Sequence, residues 1–227
     1  NIMRYVGCSA GGKLYDTSKG ARVVKRAIAG RVMPVCDLIL AMALCHSVVP
    51  EPKDEEVVEN EARERAQASA NAARDQATGT GTAGAPKGDD AATNGMPFET
   101  LPEYQGQSPD EVALVASARE YGVTLLHRTL DTMVVDNFGA EEKYTALAEL
   151  EFNSDRKRMS IIFRCPDKSI RMYTKGADTI MMPLLKASPE NATTQEHIDE
   201  FAKEGLRTLV FATKQLSEHD FNAWFKD

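Results

Sequence analysis

Apolar residues recur along this chain in two periods, separated by one long stretch in which they nearly vanish. The densest run, MPVCDLILAMALCHSVV (33–49), is interrupted by Asp37 and His46. It predicts a buried amphipathic helix from about Pro34 to His46. SPDEVALVASAREYG (108–122) carries a full helix grammar, with Ser108 as N-cap, Pro109 in the first position, Glu111 completing a capping box and Gly122 as the stop. After it the period drops to two, predicting strands at 123–128, 132–138, 143–152 and 158–165. The last sets Met159, Ile161, Phe163 and Cys165 on one face, and Pro166-Asp167 turns the chain into a partner strand at 169–175. Helices follow at about 177–187 and 194–204, then a strand at 206–213 and a final helix capped by Ser217. Upstream, residues 2–6 and 12–16 read as a hairpin around a Gly-rich turn. Consecutive strands with hairpin-length turns predict an α+β fold, an antiparallel sheet flanked by helices.

The gap in the pattern is residues 53–97. It contains no aromatic residue and almost no large aliphatic one, Val57, Val58 and Met96 being the exceptions. Such a stretch buries too little surface to offset chain entropy, so disorder is expected, with at most a frayed Ala/Glu-rich helix over 54–74. As a surface insertion it adds little closure entropy, because that cost grows slowly with loop length. The whole of residues 1–227 is then a single domain carrying one insertion.

Composition narrows the function classes. The chain has 227 residues, 42% of them hydrophobic, with 27 basic and 34 acidic side chains for a net charge of −7. That balance argues against a general nucleic-acid binder. The first 31 residues run the other way, with seven basic side chains against Asp16 alone; a solvated surface element explains them. Four cysteines without a C-x-x-C pair suggest free thiols in a reducing, cytosolic setting. The uninterrupted part of the apolar run is far short of the roughly 20 residues that a bilayer span needs.

Two motifs match chemistry by letter only. Gly79-Thr-Gly81-Thr-Ala-Gly84 fits a dinucleotide fingerprint but lies inside the low-complexity insertion, without the strand and helix that give the motif its mechanism. Gly7-Cys8-Ser9-Ala10-Gly11 fits a nucleophile elbow, but a second strand rather than a helix is expected to follow. His127, His197 and His219 show no evident triad partner.

Four blocks carry the information: YQGQSPDEVALV (104–115), LEFNSDRKRMSIIF (150–163), YTKGADTIM (173–181) and EGLRTLVFA (204–212). In order and spacing they resemble the nucleotide-binding domain of P-type ATPases, specifically the type IV branch that flips phospholipids. LILAMALCHSVVPE (38–51) resembles the helix entering that domain, and the opening NIM resembles the residues just after the DKTGTLT phosphorylation motif. The insertion has no counterpart in the family pattern.

The resemblance implies binding of ATP, with Mg²⁺ whose ligands lie outside this chain. It also implies delivery of the γ-phosphate to an aspartate on a neighbouring domain. Neither that aspartate's motif nor a transmembrane helix occurs in the sequence, so no catalytic residue is assigned here. The partners implied are the phosphorylation and actuator domains of the same polypeptide, and an accessory subunit is compatible with the family. The setting implied is the cytosolic part of an integral membrane protein.

The residues fit that expectation. Phe152, ending a strand beside Asn153 and Ser154, offers a stacking platform for adenine, worth roughly 1–3 kcal/mol. Lys175, before Gly176, is expected to project at a turn where a ligand approaches closely. Arg207, expected at a strand start, can reach phosphate oxygens bidentately. Glu111 by resemblance faces the adenine amino group, in competition with its capping-box role, and Lys157 is a further phosphate-side candidate. The alternatives are a regulatory or scaffold domain of the same fold without nucleotide, and the corresponding domain of a cation pump.

Overall fold

The computed structural model describes residues 3–17, 22–51 and 102–226. The expectations for 53–97, including the Gly79–Gly84 motif, lie outside the described residues. The chain opens with a hairpin, β1 (Gly7–Ala10) and β2 (Lys13–Asp16), followed by helices α1 (Arg22–Ala29) and α2 (Met33–Leu44). A short pair, β3 (Val49–Glu51) and β4 (Glu103–Gln105), brings the chain on either side of 52–102 together. Helix α3 (Pro109–Glu120) leads into five strands: β5 (Val123–Arg128), β6 (Thr132–Asn137), β7 (Ala140–Asn153), β8 (Arg158–Arg164) and β9 (Ile170–Gly176). Helix α4 (Asp178–Met181) runs into a 3-10 turn at Met182–Leu184. Helix α5 (Glu190–Lys203), strand β10 (Val210–Leu216) and helix α6 (Glu218–Lys226) complete the described fold.

The expected α+β architecture is observed. Six strands form one antiparallel sheet in the order β10-β9-β8-β7-β6-β5, so chain order is sheet order apart from the helices inserted before β10. Both faces of β8 are covered. Met159, Ile161 and Phe163 join the main core with Ile39, Leu44 and Val115 from α2 and α3. Ile162, on the opposite face, packs with Ile170 and Phe221 of α6. Two covered faces explain why β8 is apolar at Ile162 as well as on the alternating positions.

Four sequence expectations need correction. The first hairpin strand is Gly7–Ala10 rather than 2–6, because Gly11 and Gly12, both at positive φ (57° and 71°), form the two-residue turn. The pair matches the type I′ requirement for left-handed backbone at both central positions. The basic segment contains a helix, α1, which buries Val24 and Ala27 three residues apart and leaves Arg22, Lys25 and Arg26 exposed. Strand β10 begins at Val210, so Arg207 sits in the connection from α5 instead of at a strand start. Ser108 occupies the N-cap position of α3 but makes no side-chain cap bond, and Glu111 is engaged elsewhere. The Ser217 cap is as expected, with the Asp220 N–H donating to its Oγ at 3.0 Å. Among the described residues no single helix is long and apolar enough to cross a membrane; α1 and α2 are bent by 111° relative to each other.

Candidate functional site

The first turn of α3 is the hub. Its two adjacent acids, Asp110 and Glu111, each take a cation from a different block of the chain. Glu111 Oε1 accepts from Lys175 Nζ at 2.7 Å, and both residues are buried, at 9% and 6% exposure. Glu111 Oε2 accepts from the Ser47 N–H at 2.9 Å and from the Ser47 hydroxyl at 2.6 Å. Burial works against ionisation of Glu111, but the Lys175 ammonium and the hydrogen bonds from Lys175 and Ser47 outweigh it and hold the carboxyl below its ordinary range.

Lys175 therefore differs from the projecting lysine expected of a strand end. It lies within β9 and points to α3, not into solvent. The space above Gly176 is also used internally: a Cβ there would lie 2.7 Å from the Lys157 carbonyl oxygen and 2.7 Å from the Arg158 Cβ. The glycine admits the neighbouring strand rather than a ligand.

Asp110 is paired with Arg207 through one carboxylate oxygen, and its other oxygen has no hydrogen-bond partner. The Arg207 side chain is 67% exposed, so its guanidinium borders solvent on most sides. Phe152 stands at the end of β7 with 64% of its surface exposed. Burial of a large aromatic is favourable, so a phenyl ring left this open has unspent contact area. The register places it. A bulge between Leu150 and Asn153 sets Glu151 and Phe152 opposite Met159, which pairs with Lys175, which in turn pairs with Phe211. Phe152 is thus two strands from Lys175 on one row of the sheet, about 10 Å away at ordinary strand spacing.

Lys157 occupies the β7–β8 turn at φ 48°, its N–H donating to the Asn153 carbonyl at 2.7 Å, with the residue exposed. The same turn is braced by Asn153 Oδ1, which accepts from the Asp155 and Arg156 N–H groups at 2.7 and 3.2 Å. Asn153 thereby fixes the backbone next to Phe152. Of the five expected residues, the structure brings Glu111 and Lys175 into contact and joins Arg207 to them through Asp110. It sets Phe152 and Lys157 at the adjoining strand ends.

The stretch that holds the four blocks matches known proteins. Residues 103–227 match the family described as P-type ATPase, cytoplasmic domain N. The chain belongs to that family. Among its relatives are phospholipid-transporting ATPase IC of Mus musculus, 50% identical over 122 residues, and its Homo sapiens counterpart, 48% identical over 124 residues. Phospholipid-transporting ATPase C887.12 of Schizosaccharomyces pombe is 46% identical over 123 residues. Each match covers 53–54% of this chain and 10% of the relative, so this N domain corresponds to a small part of those proteins.

The structure also brings together residues that the sequence did not link. Ser47 contacts Glu111 across 64 positions, a link that no local pattern signals. Ser9 Oγ lies 2.8 Å from His197 Nδ1, so this histidine does have a partner. The elbow geometry is nevertheless missing, because Ser9 sits within β1 and the chain returns directly as β2. A groove of about 680 Å³ runs between this hairpin and the start of β10; of the five expected site residues only Arg207 lines it.

Proposed function

We propose that this N domain is the ATP-binding part of an ATP-driven phospholipid flippase. Adenine stacks on Phe152, over the strand ends and beside the Glu111–Lys175 pair. Arg207 leaves Asp110 for the phosphate oxygens, with Lys157 as a second cation. The observation that carries this reading is the exposed Phe152 ring on the same sheet row as a buried, hydrogen-bonded lysine–carboxylate pair. A domain used only as a scaffold has no need of a bare aromatic there.

Glu111 Oε1 keeps one lone-pair direction beyond Lys175, enough to accept from an exocyclic amino group, while Oε2 is filled by the two Ser47 donors. Arg207 exchanges one carboxylate oxygen for phosphate oxygens, which offer the bidentate geometry a guanidinium prefers. The bound γ-phosphate is then presented to an aspartate of a neighbouring domain for in-line transfer, a step that rests on positioning and charge stabilisation. Mg²⁺ accompanies the phosphates and is held by groups outside the described residues. On this reading the chain works as the cytosolic portion of a membrane protein, with phosphorylation and actuator domains as partners.

One stacked base and two or three exposed charge-assisted contacts sum to roughly 4–5 kcal/mol, an affinity near 1 mM or somewhat tighter. Calorimetric titration of the chain with ATP tests this. Weak saturable binding without release of inorganic phosphate is expected; no heat of binding up to 10 times that concentration (about 10 mM) contradicts it.

A further inference from the structure

The turn that leaves α2 is built more rigidly than a surface connection requires. His46 is fully buried, and both of its ring nitrogens are used inside the turn. Nε2 donates to the Ala43 carbonyl at 2.8 Å, and Nδ1 accepts from the Val48 N–H at 3.1 Å. That pattern requires the neutral ring. Burial, and after it the Arg128 charge, push the His46 pKa down to about 3. Arg128 donates to the His46 carbonyl and is itself held by Glu149 at 3.0 Å. Cys45 Sγ donates to the Tyr173 carbonyl at 3.6 Å, tying the turn to β9 two residues before Lys175.

What this braced turn presents is Ser47. Its N–H and its hydroxyl converge on a single oxygen of Glu111, at 2.9 and 2.6 Å, which leaves the other oxygen to Lys175. Two donors from one residue fix both the position and the rotation of a carboxylate, where one donor would fix position only. The Ser47 residue itself is exposed, so these bonds are not a by-product of core packing.

We infer that Ser47 is a positioning residue for the nucleotide site, acting through Glu111 on Lys175. The inference rests on the ATP-binding reading above and adds to it the device that sets the first turn of α3 against β9. Since that turn also carries Asp110, the position of Arg207 follows from the same anchor.

The test uses the 227-residue chain as wild type, Ser47→Ala, Ser47→Thr and Phe152→Ala. ATP affinity is measured by NMR titration, and the Glu111 side-chain carboxyl is titrated by ¹³C NMR. Ser47→Ala is expected to weaken ATP binding about fivefold or more, the effect of losing a hydrogen bond to a charged group. It should also raise the midpoint of the Glu111 titration, because a donor to the anion is lost. Ser47→Thr, which keeps the hydroxyl, should restore both. The inference is overturned if Ser47→Ala binds ATP like wild type while Phe152→Ala loses affinity; the ATP-binding reading then still stands. It is equally overturned if affinity falls with no change in the Glu111 titration, since that marks a diffuse structural effect. Failure of wild type to bind ATP at all overturns both readings and is distinguishable from either result.

Discussion

Asp110 and Glu111 are neighbours on one helical turn, each bonded to one cation, yet their surroundings differ almost completely. In the Glu111–Lys175 pair the side chains are 11% and 8% exposed; in the Asp110–Arg207 pair they are 22% and 67% exposed. Removing water makes the first pair strongly interdependent, because either partner alone would be a buried, uncompensated charge. The second pair exchanges with solvent and contributes little to stability. On the proposed ATP-binding reading, the difference separates two tasks within one site. A fixed pair holds α3 against the sheet, while a loosely held arginine remains available to an incoming anion.

The largest expected effect tests the buried half of that contrast. Lys175→Met or Glu111→Ala should each destabilise the fold by roughly 3–5 kcal/mol. The Glu111→Gln/Lys175→Met double variant should recover most of the loss. Arg207→Ala should stay within about 0.5 kcal/mol of wild type. Urea unfolding measures all four, and comparable losses at Lys175 and Arg207 would erase the distinction. The acid limb follows from the same pair. The Glu111 carboxyl is held below its unfolded value, so its contribution is complete above the unfolded pKa and disappears as pH falls through the lower, folded one. Unfolding midpoints between pH 7 and pH 3 should therefore drop more steeply in wild type than in Glu111→Gln.

Smaller effects concern the exposed half, and they appear in binding rather than stability. Phe152→Ala should cost roughly 1–3 kcal/mol of ATP affinity while leaving the unfolding midpoint unchanged, because the ring is mostly in water. Arg207→Ala should weaken ATP about tenfold, the loss of one charge-assisted contact. The slightest change is expected for Asp110→Asn. Freeing Arg207 from its carboxylate should tighten ATP by about two- to threefold, in line with the small worth of an exposed pair. Weaker binding in that variant would mean that Asp110 holds Arg207 in its working position instead of competing for it.

Much of this fold was legible because its elements announce themselves locally. Helix α3 has proline in its first turn and glycine after its last, and β8 alternates cleanly before a Pro-Asp turn. Short elements were harder to read: β3 and β4 have three residues each, and their pairing spans the whole of 52–102. Helix α1 is only two turns long, so its buried positions, Val24 and Ala27, are too few to establish a period. In the site, the residue identities were readable from the four blocks, but burial was not. Nothing local in RMYTKG reveals that Lys175 is covered by α3, since that cover comes from residues more than 60 positions away. Glu111 read as a capping residue for the same reason. Its spacing from Ser108 satisfies the local rule, and the tertiary partners Lys175 and Ser47 override it. Ser47 was invisible in sequence because its role depends on a turn shaped by His46 and Arg128.

On the proposed reading, ATP binds at the strand ends beside α3. An amide-resolved NMR titration of the chain with ATP tests it most directly. Saturable shifts are expected on Phe152, Lys157, Lys175, Arg207 and the first turn of α3, with smaller shifts at the remaining residues in Phe152→Ala at equal ATP concentration. Shifts confined to the groove between the N-terminal hairpin and β10, or no saturable shift at all, would contradict it.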